Sequence, residues 1–141
     1  MSIANNTSTL PVIGRVLMAA IFVLSGFGKL AAPAATIGYI QAMGLPMAGA
    51  GLVAAIVVEL GGGLLLALGY KTRLVALALA AFSVVTGLIF HHAVGDQNQM
   101  IHLLKNFAMA GGLLQVAAFG AGAYSLDAKA FKRAGGRIVN A

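Results

Sequence analysis

The chain has 141 residues, 60% of them hydrophobic and only 9% charged, with a formal charge of +6 and no cysteine. A soluble domain carries about 25% charged residues, so this chain could not clothe a water-facing surface, and it is too short for a second domain. Without cysteine it has no thiol chemistry and no Cys-ligated metal centre, and its few scattered basic residues suit anionic lipid better than nucleic acid.

Residues 1–11 form a polar, uncharged lead-in. A first apolar span follows at 12–30, broken only by Arg15 near its start and Lys29 near its end. A cleaved signal peptide is the competing reading, with AAPAA as the cleavage zone. The apolar run begins before Arg15, however, and Lys29 sits awkwardly before the supposed cut, so a retained span is preferred. Residues 31–47 hold two prolines, two glycines and no charge; they read as a loop with a short amphipathic stretch, Ile37–Met43, suited to the membrane interface.

The second span, 48–68, contains a single ionisable residue, Glu59. From Gly51 to Leu68 a helix would cover roughly 27 Å, close to the ~30 Å of a bilayer's hydrocarbon core. A charge at that depth costs on the order of 2.5–3.5 kcal/mol, so Glu59 should face other helices and find a basic partner. Its i,i+4 row is Gly51, Ala55, Glu59, Gly63 and Ala67, otherwise all small, which is how helices approach closely in lipid. Gly61-Gly62-Gly63 lacks the strand and the GK[ST] of a phosphate loop and reads as close packing or local helix flexibility.

The tight link GYKTR (69–73) leads into a third span at 74–91, and the polar loop HHAVGDQNQ (91–99) into a fourth at 101–120. The fourth carries His102, Lys105, Asn106 and Gln115. Residues 123–141 form a basic tail. The predicted fold is therefore all-α: an integral membrane bundle of four transmembrane helices over 12–122. Four spans place both termini and the 69–73 link on one side, together with Lys71, Arg73, Lys129, Lys132, Arg133 and Arg137, with Arg15 close by. The opposite loops have Lys29, with Lys105 just inside. The positive-inside rule then puts both termini in the cytoplasm.

Two clusters could carry chemistry. Arg15, Glu59 and Lys105 form a candidate intramembrane charge network, in which Arg15 approaches Glu59 from the inner side and Lys105 from the outer. Lys29, His91, His102, Lys105 and Asn106 gather near the outer boundary as candidate ligand-binding donors. Plainer readings compete: a structural ion pair for Glu59, and snorkelling to the interface for Lys29. Adjacent His91 and His92 point about 100° apart on a helix and cannot share a metal; interfacial histidine is favoured over a metal site, including one from His92 with Asp96 or His102. Tyr39, Tyr70 and Tyr124 read as interfacial anchors.

RVLMAAIFVLSGFGKL (15–30), GLP (44–46), ELGGGLLLALGYKTR (59–73), HH (91–92), HLLKNFAMAGGLL (102–114) and GAGAYSLD (120–127), in this order, resemble the DoxX family of small bacterial inner-membrane proteins. The resemblance covers nearly all of residues 12–127. It implies a four-helix membrane protein, with polar positions matching Arg15, Lys29, Glu59, Thr72, Arg73, Lys105 and Asn106. Some relatives are associated with membrane redox systems, including quinone-linked ones, and most have no established activity.

Two function classes follow. One is an accessory subunit of a membrane redox system, partnered with an oxidoreductase and holding a quinone-like ligand in an outer-leaflet pocket. A quinone needs an apolar slot with one or two donors for its carbonyls. The other is a small solute or proton pathway centred on Glu59, with a purely structural partner role as the fallback. Four short helices leave little room for alternating access unless the chain forms a homo-oligomer. No cofactor motif and no nucleophile–base pair points to an independent enzyme.

Overall fold

The computed structural model describes residues 9–135, so the first eight residues of the lead-in and Arg137 lie outside it. Among the described residues the chain is helical, with no strand. Helix α1 spans Leu10–Ala31, α2 Pro33–Ala42, α3 Ala48–Ile56, a π-helical turn Val57–Gly61, α4 Gly62–Leu68, α5 Thr72–Phe90, α6 Gln97–Phe119 and α7 Leu126–Arg133. Three rods are long and apolar enough to cross a membrane: α1, the continuous α3–π–α4 rod (Ala48–Leu68), and α5. The fourth long helix, α6, has 23 residues but is too polar to join them, carrying QNQ, His102, Lys105 and Asn106 in its first half.

Local chemistry explains the breaks. Pro11 sits in the first turn of α1, where its missing N–H is harmless, and Pro33 opens α2 immediately after α1 ends. Gly69, at φ +69°, terminates α4 in the left-handed conformation. Asp96 caps α6 by accepting from the Gln99 N–H, and Ser125 caps α7 by accepting from the Ala128 N–H. The stretch expected to be a loop with a brief amphipathic segment is mostly the ten-residue helix α2, because Pro33 sets a helical φ and the chain meets no second proline until Pro46, the single Gly38 being accommodated within the helix.

The core is built from Ala19 and Phe22 of α1, Leu66 of α4, Val75, Ala76, Leu79 and Ala80 of α5, and Ala110 and Leu113 of α6. Outside it the rods expose large apolar side chains such as Leu17, Leu24, Val57, Leu74 and Leu88, a surface suited to lipid rather than water. Of the two readings of the triple glycine, the packing contacts support close approach of the helices. A Cβ on Gly63 would lie 2.9 Å from the Val23 side chain and 3.3 Å from the Ala19 carbonyl, and one on Gly62 would lie 2.9 Å from Leu79. Gly61, meanwhile, closes the π turn that contains Glu59.

The described part of the basic tail, up to residue 135, packs back onto the bundle. Asp127, in the first turn of α7, accepts from the backbone N–H groups of Lys71 (2.7 Å) and Thr72 (2.8 Å), capping α5 from a different helix, and its own N–H donates to Gly69 O. Buried Arg15 donates from Nη2 to the Tyr124 carbonyl at 2.9 Å. The start of α1, the 69–73 link and the segment before α7 thus meet at one end of the bundle. Partial burial would raise the Asp127 carboxyl's pKa. The hydrogen bonds from Thr72 and Lys71, with the Arg15 charge nearby, outweigh it and hold Asp127 below the usual carboxylate range.

Candidate ligand cavity

At the end opposite Arg15 and Tyr124, α1, α2, the α3–π rod and α5 diverge around a cavity of about 560 Å³. Ser25, Gly28 and Lys29 of α1 form one wall, Gly51, Ala55 and Glu59 the facing wall, and Phe82, Thr86 and Phe90 of α5 a third. Ala35, Thr36, Tyr39 and Ile40 of α2, together with His91, add to the lining. The small-residue row on the second span is what opens this space. Gly51 and Ala55 leave room above Glu59, while Gly63 below it packs tightly.

Glu59 is 6% exposed and is paired with Lys29. The ammonium lies 2.8 Å from Oε2 and donates to Oε1 at 3.0 Å and to Ser25 Oγ at 2.8 Å. Ser25 in turn donates to Oε1 at 3.2 Å. The Nζ–Oε2 contact completes the ion pair, so the ammonium faces both carboxylate oxygens. The cluster carries no net charge and ties α1 to the π turn.

This pairing corrects the expected charge network. Arg15 lies about 15 Å along α1 from Ser25 and is engaged with Tyr124 at the other end. Lys105 is exposed on the outer surface of α6, away from the cavity. An approach to Glu59 from the outer side is blocked by rotation about the α6 axis, which turns Lys105 outward. Lys29, expected to snorkel, sits instead on the same level as Glu59.

The candidate donor set is divided as well. Lys29 and His91 line the cavity; His102, Lys105 and Asn106 do not. The His102 ring stacks on His91 at 4.9 Å between centroids and so supports it from behind. The Asn106 amide donates to the His102 carbonyl, and its Cβ fills the space above Gly87. His92 turns away, its Nδ1 2.9 Å from the Ile89 carbonyl. Ser25 and Thr86 were not singled out from sequence. Ser25 precedes Lys29 by four residues, a spacing that places both on one helix face and could have flagged it.

The family's sequence model matches residues 10–92, more than half of the chain. The chain belongs to the DoxX family. Two curated relatives from Escherichia coli (strain K12) are similar along most of their length. The inner membrane protein YqjF is 38% identical over 115 residues, covering 82% of this chain and 87% of YqjF. The inner membrane protein YphA is 34% identical over 122 residues, covering 82% of this chain and 86% of YphA. No solved structure matches significantly. Together with its apolar rods, the match makes this DoxX-family chain a multi-pass inner-membrane protein. Both Lys29 and Glu59 fall within the matched DoxX region.

Proposed function

We propose that this DoxX-family protein holds a neutral, lipid-soluble molecule, quinone-like in size and polarity, in the Lys29–Glu59 cavity, as an accessory component of a membrane redox system with both termini in the cytoplasm. The observation that carries the reading is an apolar-walled cavity of about 560 Å³ whose charged groups neutralise one another. Such a wall repels neither an uncharged ring nor its tail, and it offers a lone cation or anion no unpaired counter-charge. The basic side chains at the terminal end (Lys71, Arg73, Lys129, Lys132 and Arg133) support the cytoplasmic assignment. A solute or proton pathway through Glu59 is less well supported, because Phe22, Leu66 and Leu79 pack the core between the acid and the terminal end.

The test is mass spectrometry of lipid-soluble molecules that copurify with the detergent-extracted protein and with Ala55→Phe, which fills the cavity. A molecule present in the wild type and depleted in the variant is expected. No such molecule, or equal amounts in both, overturns the reading. The redox association has its own test: membranes lacking the protein should show slowed quinone-linked oxygen uptake, and unchanged uptake would remove that part.

A further inference from the structure

Every side-chain hydroxyl that lines the cavity already spends its single proton on the protein. Ser25 donates to Glu59 Oε1, Thr86 to the Phe82 carbonyl at 2.7 Å, Tyr39 to the Phe90 carbonyl at 3.1 Å and Thr36 to the Ala32 carbonyl at 3.5 Å. His91 presents Nδ1 to Gln99 Oε1 at 2.9 Å, and in the neutral imidazole this contact takes the Nδ1 proton and leaves Nε2 a lone pair. Lys29 donates to Ser25 and to Glu59 Oε1, and its third proton has Oε2 at 2.8 Å. The lone pairs, by contrast, remain available. Each hydroxyl oxygen can still accept, and Glu59 Oε2 keeps a lone pair beyond its contact with Lys29. The side chains of this wall are rich in acceptors and have almost no uncommitted proton.

A ligand presenting only carbonyl oxygens would meet lone pairs with lone pairs, leaving buried acceptors on both sides unsatisfied. A ligand carrying hydroxyl groups would supply the missing protons. From this imbalance we infer that the cavity selects a hydrogen-bond donor: a neutral amphiphile with phenolic or alcoholic hydroxyls, which for a quinone-like ligand means the reduced, hydroquinone form. The inference rests on the cavity reading above and adds the polarity of its recognition. It also reverses the expectation that Lys29 and His91 serve as donors to a quinone carbonyl.

A matched pair of probes tests it: a long-chain para-alkylphenol and its O-methyl ether, equal in apolar body and differing in one donor. Binding to the purified protein is measured by equilibrium dialysis in detergent, with Ala55→Phe as the blank that corrects for partition into micelles. The phenol should bind about five- to tenfold more tightly than the ether, the worth of roughly one buried hydrogen bond. Thr86→Val, which keeps the shape and removes one acceptor, should weaken the phenol and leave the ether unchanged. An alkyl hydroquinone should likewise outbind its quinone. If the ether or the quinone binds as tightly as its partner, donor selection is wrong while the cavity stands as a binding site. If none of the probes binds above the blank, the cavity reading itself fails.

Discussion

Lys29 and Glu59 meet across the α1–π-turn contact at 2.8 Å, the single ion pair that joins two membrane-spanning rods among the described residues. Removing one partner leaves the other charge in a low-dielectric setting, whereas removing both leaves none. Lys29→Met and Glu59→Leu should each lower stability in detergent by on the order of 2 kcal/mol, below the figure for fully buried pairs because the Lys29 side chain keeps 23% exposure. The double variant should lose less than the sum of the two. Thermal melts of the four proteins check this. Additive losses, or single variants that melt with the wild type, would show that the pair is not coupled.

Gly69 and Gly44 make a second, paired test. Both have positive φ, at +69° and +72°. A Cβ on Gly44 meets nothing within 4 Å, whereas one on Gly69 would occupy the place of Arg15 Nη1. Gly44→Ala should therefore cost only the backbone strain, roughly 1–2 kcal/mol. Gly69→Ala should cost that and more, because it must also displace a buried guanidinium from the Tyr124 carbonyl. Equal melting temperatures for the two variants would mean that Arg15 can move aside freely.

The capping carboxylate predicts a pH dependence. Asp127 has its pKa below the ordinary value in the folded protein. Its contribution to stability is therefore complete above the unfolded carboxyl's pKa of about 3.9 and is lost as pH falls through the lower folded value. Asp127→Asn should destabilise the protein at neutral pH and flatten the acid limb of a plot of melting temperature against pH. A variant whose acid limb parallels the wild type would assign that limb to other groups.

Membrane orientation can be read directly because the sequence contains no cysteine. Single cysteines at exposed Asn98 and Ala130 mark opposite ends of the bundle. In intact cells an impermeant maleimide should label the cysteine at 98 and reach the one at 130 only after lysis. Labelling at 130 from outside would invert the proposed topology.

Much of this architecture was legible along the chain because hydropathy and helical period are local properties. The helical rods, the small-residue row through Glu59 and the meeting of the start of α1 and the segment before α7 with the 69–73 link all follow from which residues are apolar and how they repeat. The need of Glu59 for a basic partner also follows, from the cost of a charge in hydrocarbon. Which base answers it does not. Lys29, Arg15 and Lys105 are equivalent by charge, and the choice depends on the axial offset and rotation of one helix against another. Those are set by Gly62, Gly63 and Gly26 packing against Leu79, Val23 and Leu60. Rotation turns Lys105 outward, axial offset sends Arg15 to Tyr124, and only Lys29 arrives level with the acid. The cavity and the commitment of its hydroxyl protons belong wholly to tertiary structure, because both depend on where separate helices diverge and which carbonyls their side chains then reach.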